Sequence, residues 1–395
     1  MFDNIQPKWY IGIITLLVTL VFFIFGATPL QVHFGMWGFA ATQLGILVIA
    51  LTPIFLFKWK ISDVMPLKKV TLKQLLALFV LLVATYMVVN VVSVITAYLF
   101  PAYTEINAYI AEFFASVPFI VAILLVGVLT GICEEALHRG LIQHTFAKHE
   151  NKLAIMLIMA VIFGVFHLSP YRFLSTAIIG FMMTYIMLKT QNFLLPVIYH
   201  ALQNIIAVTI GYITGAGDNV GQGVSVVISA TAIGEILIIT ALSPLLFYAG
   251  VWLLNSSKPT RKAKYTALIF TLLLPVMGLG VLVASPTPSN MYVTNFNMTY
   301  YVNHETEPSV FDNFVIEYDG MYDLFVSISS EDGVVITSVR VEDENGDVVW
   351  DVQGGRFFVN RPTHLNAGVY KVTFTYETES IEPVLVEMHF SIRIM

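Results

Sequence analysis

Nine apolar runs, each near the ~20 residues a helix needs to cross a hydrocarbon core, fill the first 284 of 395 residues. They are expected at about Trp9–Phe25, Met36–Phe57, Leu75–Leu99, Val117–Phe146, Leu153–Leu168, Phe173–Leu188, Phe193–Tyr212, Ile233–Leu254 and Tyr265–Ala284. In lipid every backbone N–H and C=O must be satisfied inside the protein, which restricts such runs to helices. With 57% hydrophobic and 12% charged residues, an ordinary soluble domain is excluded. The first run lacks a strongly basic leader and a clean small-x-small cleavage site, and so reads as a retained span.

The net charge of −6 conceals a split: fifteen Lys and Arg against nine Asp and Glu up to Ser285, then five against seventeen. Within the apolar part the basic residues fall in alternate connections. Lys58, Lys60, Lys68, Lys69 and Lys73 follow the second run; Arg139, Lys148 and Lys152 the fourth; Lys189 the sixth; Lys258, Arg261, Lys262 and Lys264 the eighth. The opposite connections, Pro101–Ser116 and Thr214–Ala230, carry Glu105, Glu112 and Asp218, with Arg172 the one intruding cation. By the positive-inside rule the expected topology is a multi-pass cell-membrane protein with a cytoplasmic N-terminus and an extracytoplasmic C-terminal segment. Cys133 is the sole cysteine, which excludes an intrachain disulfide and a four-cysteine zinc site. An outer segment without disulfides points to a prokaryote.

After Ala284 the pattern changes. Residues 285–290 (Ser-Pro-Thr-Pro-Ser-Asn) read as a linker between a membrane domain, 1–284, and a second domain, 291–395. Short alternating runs follow at Tyr292–Tyr301, Phe311–Tyr318, Tyr322–Ile328, Val334–Glu342, Asp347–Asp351, Gly354–Val359, Gly368–Tyr376 and Val384–Ile394. Turn signals Asp319-Gly320, Asp332-Gly333 and Asn345-Gly346 separate several of them. The expected fold class is thus a polytopic all-α membrane protein with a C-terminal extracytoplasmic all-β, sandwich-like domain.

The polar residues inside the apolar runs carry the chemistry, since ionised groups at membrane depth are expensive and retained for function. Glu134 and Glu135 are adjacent, and Arg139 lies one turn after Glu135, where the two can pair. Glu134 points about 100° away. Phe163 and His167, and His200 and Asn204, repeat the four-residue spacing in two later runs. At about 1.5 Å per residue, Glu134 lies about 21 Å from Lys148, His167 about 22 Å from Lys152, and His200 and Asn204 about 16 and 22 Å from Lys189. Three runs therefore bring their polar groups to a similar depth. A set of this kind suits amide hydrolysis: Glu134 as general base, His167 on the same water, His200 and Asn204 as donors to the oxyanion. Glu135 with Arg139 would support the site as a buried ion pair, and Phe163 would wall the cavity. His138, His144 and His149 read as interfacial or solvated.

The elements Glu134-Glu135-x-x-x-Arg139, Phe163-x-x-x-His167 and His200-x-x-x-Asn204, in this order, resemble the CAAX prenyl protease and bacteriocin-processing enzyme family of intramembrane endopeptidases. The resemblance covers about 117–212 and implies that Glu134 and His167 activate water while His200 and Asn204 form the oxyanion hole. It implies no cofactor. The alternative is a zinc-dependent form of the protease, with Glu134, His167 and His200 as ligands. The implied partners are the lipid bilayer and a membrane-associated peptide or protein substrate, with no nucleic acid. The β domain lies outside the family core and suits an envelope or protein partner. Two other classes fit the composition: a transporter relaying protons or a cation through Glu134, His167 and His200, and a non-catalytic scaffold.

Overall fold

The computed structural model describes residues 7–100, 102–146, 150–213, 230–255, 259–284, 292–302, 310–316, 319–330, 334–353, 358–378 and 384–394. The linker 285–290, the connection 214–229 with Asp218, Lys148, His149, Lys258 and the turn at 332–333 lie outside the described residues. The chain divides into two compact units, with the boundary at Leu282/Val283.

The first unit is helical. Its α-helices are α1 (Trp9–Phe22), α2 (Thr28–Leu56), α3 (Ile61–Val64), α4 (Leu72–Leu99), α5 (Ala102–Ala115), α6 (Phe119–Ala122), α7 (Thr130–Glu135), α8 (Gln143–Thr145), α9 (Lys152–Phe166), α10 (Phe173–Thr190), α11 (Leu194–Ile213), α12 (Ala230–Ile239), α13 (Ser243–Leu254) and α14 (Arg261–Ala284). Among the described residues seven helical stretches are long and apolar enough to cross a membrane. The chain is a multi-pass membrane protein. The difference from nine has two sources. The expected first two spans form one helical stretch, Trp9–Leu56, and the expected fifth is an apolar helix of only 15 residues, Lys152–Phe166.

Trp9–Leu56 is not straight. Gly35, at φ 53, reverses the chain within α2, a conformation that costs an L side chain strain. Past the reversal Gly38 lies against the Leu30 backbone, where a Cβ would stand 1.9 Å from the carbonyl oxygen. Only glycine fits. The two limbs are then joined by a long hydrogen bond from Gln31 Nε2 to Thr42 Oγ1, 3.4 Å.

The fourth expected span is a continuous helix, Phe119–Thr145, in which α-helical turns alternate with π-helical ones at Ile123–Leu129 and Ala136–Ile142. π-turns recur at functional sites, because the wider turn re-aims side chains. Here they flank α7, which carries Glu134 and Glu135. Gly127 and Gly131, one turn apart, let this helix approach α11 closely. A Cβ on Gly131 would lie 3.2 Å from the Ala201 backbone nitrogen, and one on Gly127 would lie 2.6 Å from Ile205. Small residues at four-residue spacing are how membrane helices pack without a hydrophobic driving force. This packing brings His200 of α11 alongside the two glutamates and ties Asn204 to the same helix at the Val126 carbonyl.

The second unit comprises β1 (Tyr292–Val302), β2 (Val310–Ile316), β3 (Gly320–Ser330), β4 (Val334–Asp343), β5 (Val348–Gln353), β6 (Phe358–Leu365), β7 (Gly368–Thr378) and β8 (Val384–Ile394). They form two four-stranded antiparallel sheets, ordered β1-β8-β3-β6 and β2-β7-β4-β5. Inward residues of both sheets, among them Leu324, Val326, Phe390 and Ile392 from one and Val339, Val341, Val372 and Phe374 from the other, share one core. β6 runs over Phe358–Leu365, beyond the expected end at Val359, while 354–357 of the expected run lie outside the described residues. Its Pro362 sits on an edge strand, where a missing N–H is tolerated. At the β4–β5 turn Gly346 has φ 84, and Asp343 Oδ1 accepts from the backbone N–H groups of Asn345 and Asp347, each at 2.9 Å. The acidic stretch here is a turn held by its own side chain.

Gly38→Ala is expected to lower the thermal stability of the purified chain by about 1–3 kcal/mol, the range for forced overpacking. Gly280→Ala, where a Cβ meets open space, should leave the unfolding temperature unchanged or slightly raised.

Candidate active site

The site begins with an ion pair inside one helix. Arg139 Nη1 donates to Glu135 Oε1 at 2.9 Å, with both side chains wholly buried. Arg139 Nη2 donates to the Gly180 carbonyl of α10 at 2.8 Å, and the guanidinium lies over the Phe163 ring, 4.7 Å from its centroid. Phe163 in turn occupies the space a side chain on Gly180 would need. The charge of Arg139 is therefore met by a carboxylate, a carbonyl and an aromatic face.

Glu135 Oε1 is also bonded to His200 Nδ1 at 2.9 Å. A carboxylate in this ion pair accepts, so Nδ1 carries the hydrogen, and the other ring nitrogen, Nε2, is turned to Glu134 Oε2 at 3.9 Å. The imidazole thus sits between the two adjacent carboxylates. Glu134 Oε1 accepts a long bond, 3.4 Å, from Gln43 Nε2 of α2. Oε2 is buried without a hydrogen-bond partner.

His167 follows directly on α9. Its Nδ1 is 2.8 Å from the Phe163 carbonyl, and a carbonyl only accepts, so Nε2 is left as an acceptor. Leu168, at φ 50, then turns the chain away. Glu134 and His167 line the same cavity of about 350 Å3, with Thr28, Gln31, Thr42 and Gln43 as its other amide and hydroxyl residues and Phe23, Phe39 and Phe166 among its apolar walls. Asn204 donates to the Val126 carbonyl at 2.9 Å, which fixes its amide to the catalytic-candidate helix and leaves its second N–H.

Of the residues picked from the sequence, Glu134, Glu135, Arg139, Phe163 and His200 meet in one cluster, His167 joins it through the cavity, and Asn204 is tied to the same helix. His138 is a correction. It is not interfacial but fully buried, its Nδ1 bonded to the Glu134 carbonyl at 2.8 Å and its ring packed edge-on against Phe163 and Phe166. The sequence placed it by its nearness to basic residues, whereas its neighbours come from α9. Gln43 was missed altogether. Its one signal is that it is the only amide side chain in the run Met36–Phe57.

A multi-pass helical protein with a carboxylate–imidazole cluster beside an open pocket is what fold and site define. Residues 116–206 match the model of the family described as Rce1-like, type II CAAX prenyl endopeptidase Rce1-like. The resemblance drawn from the three motifs is thereby borne out, and the matched segment contains all seven residues that carry it. This part of the chain is similar to that endopeptidase family. Neither curated proteins nor solved structures give a match.

Arg139→Met is expected to destabilise the protein by about 3–5 kcal/mol, because it leaves Glu135 buried and uncompensated. Adding Glu135→Gln should recover part of that loss, so thermal unfolding of the two single variants and the double variant reads the coupling directly.

Proposed function

We propose that the membrane domain is an intramembrane endopeptidase hydrolysing peptide bonds of membrane-associated peptides or proteins, with Glu134 activating water. One observation carries this reading. Glu134 and His167, from different helices, line one cavity, and His200 from a third helix reaches the Glu134 carboxylate. A separation of 3.9 Å is too long for a direct bond and suits groups that share a water or a reacting atom.

The chemistry follows from the free positions. A water in the cavity gives one hydrogen to His167 Nε2 and the other to Glu134. As its oxygen bonds to the scissile carbonyl carbon, Glu134 takes the proton and the carbonyl electron pair moves to oxygen. His200 in its doubly protonated form, with Nδ1–H given to Glu135, and the second N–H of Asn204 donate to that oxyanion. When the intermediate collapses the C–N bond breaks, Glu134 returns the proton to the leaving nitrogen, and a carboxylic acid and an amine result. Glu135 and Arg139 position His200 and do not touch the substrate. The family description names prenylated CAAX substrates, so a farnesylated CAAX peptide is one substrate to try beside unmodified membrane peptides.

A zinc-dependent version uses Glu134, His167 and His200 as ligands. Among the described residues no three His, Cys, Asp or Glu side chains converge so as to hold a metal ion. Glu134 Oε1 is already engaged by Gln43, and His200 Nδ1 by Glu135. Glu134 Oε2 and the Nε2 atoms of His167 and His200 stay open to a water or to a metal ion, and the chelator comparison below decides between the two routes.

The basic connections argue for a cytoplasmic N-terminus and an extracytoplasmic β domain, the latter serving a substrate, envelope or protein partner. With Cys133 buried, a cysteine introduced at Glu344 should label with a membrane-impermeant maleimide on intact cells, and one at Lys69 should not; the reverse pattern overturns this orientation.

For the chemistry, purified wild type is compared with Glu134→Gln for peptide cleavage and bound metal. Loss of about 100-fold or more in kcat, the lower bound for a general base, with cleavage resistant to chelators, is the expected result. Full activity in Glu134→Gln removes the proposed base. Stoichiometric zinc with chelator-sensitive cleavage replaces it with the metal route.

A further inference from the structure

The matched segment, 116–206, does not contain the whole site. The cavity that Glu134 and His167 share is closed on its other side by the Trp9–Leu56 stretch, through Phe23, Thr28, Gln31, Phe39, Thr42 and Gln43. Among these, Gln43 is distinct. It is 3% exposed, its Nε2 is the protein donor to Glu134 Oε1, and its own carbonyl oxygen is buried with no hydrogen-bond partner. An amide buried in apolar surroundings with half its bonding capacity unused is costly to keep as packing alone. Its one hydrogen bond goes to the candidate base, from a helix outside the matched segment.

We propose that Gln43 is a positioning residue of the peptidase, its amide N–H holding Glu134 Oε1 and so fixing the orientation in which the carboxylate meets the water and His200. The proposal rests on Glu134 being the base. Its structural support is the reversal at Gly35: by returning the chain upon itself it sets Thr42 and Gln43 across from Gln31, and the Gln31–Thr42 bond braces the turn of helix from which Gln43 projects. The active centre of this chain is thus completed by a helix the family model does not cover.

Steady-state cleavage by the full-length protein tests this with Gln43→Met, which keeps the shape and removes the donor, and Gln43→Asn, which keeps an amide on a shorter stem. A lost hydrogen bond to an ionised group predicts a fall of about 10-fold or more in kcat for Gln43→Met. KM should stay within about twofold, since the bond to Glu134 matters to the chemical step and not to ground-state binding alone. Gln43→Asn should recover at least part of that kcat. A purely structural role would instead lower the unfolding temperature of both variants and reduce the active fraction without this ordering. Equal kcat in wild type and Gln43→Met, or equal losses in Gln43→Met and Gln43→Asn, overturns the proposal. If Gln43→Met does not fold, Gln43→Asn and Gln43→Glu decide it. The carboxylate set against Glu134 must then abolish turnover while Gln43→Asn retains it, and a fully active Gln43→Glu is the overturning result. Glu134→Gln run in parallel separates the two readings. An inactive Glu134→Gln beside an unaffected Gln43→Met refutes only the role of Gln43. An active Glu134→Gln refutes the base assignment itself.

Discussion

Glu135 Oε1 accepts from Arg139 on its own helix and from His200 on α11, each at 2.9 Å, and neither member of the ion pair touches solvent. The rest of the membrane domain is arranged around this carboxylate. A charge removed from water is costly unless it is paired and hydrogen-bonded, and here each partner recruits a further element. Arg139 draws in the Gly180 carbonyl of α10 and the Phe163 ring of α9, while His200 ties in α11. Four helical segments meet at one charge pair. The same geometry orients His200 so that its second nitrogen reaches Glu134, and structural support and chemistry become one network.

The close approach this network needs comes from small residues. Gly127 and Gly131 admit α11, and Gly180 admits Phe163. In each case a side chain would meet a neighbour at or inside van der Waals distance, so the glycines set helix separation rather than flexibility. The two π-helical stretches on either side of α7 act along the helix instead. They change the angular order of the residues between Ile123 and Ile142, and with it the direction in which the adjacent glutamates face.

How much of this could be read from the sequence depends on how local each relationship is. Glu135 with Arg139 was legible because both lie one turn apart on a single helix. That His167 and His200 come near Glu134 was legible from their similar distances to basic loop residues. Most strands were legible from alternation and turn residues, whereas the extension of β6 past Val359 through Pro362 depends on its place at a sheet edge, which is a property of the sheet. The number of membrane-length helices shifted because the reversal at Gly35 lies inside a continuous helical stretch and because Lys152–Phe166 is short. Gln43 was invisible for a plainer reason: its partner is 91 residues away, and no spacing rule spans that distance. The burial of His138 was hidden likewise, being set by Phe163 and Phe166 on another helix.

The locality of the Glu135–Arg139 pair bears on how such a helix enters a bilayer at all. During synthesis Phe119–Thr145 emerges well before Gly180 and His200, so none of its partners on later helices exists when insertion begins. An ion pair four residues apart needs no partner helix: it can close as soon as that turn forms, and the arginine then crosses the interface already neutralised. The motif is in this sense self-chaperoned, with the charge needed for the finished centre brought through the translocon in a form that lipid tolerates.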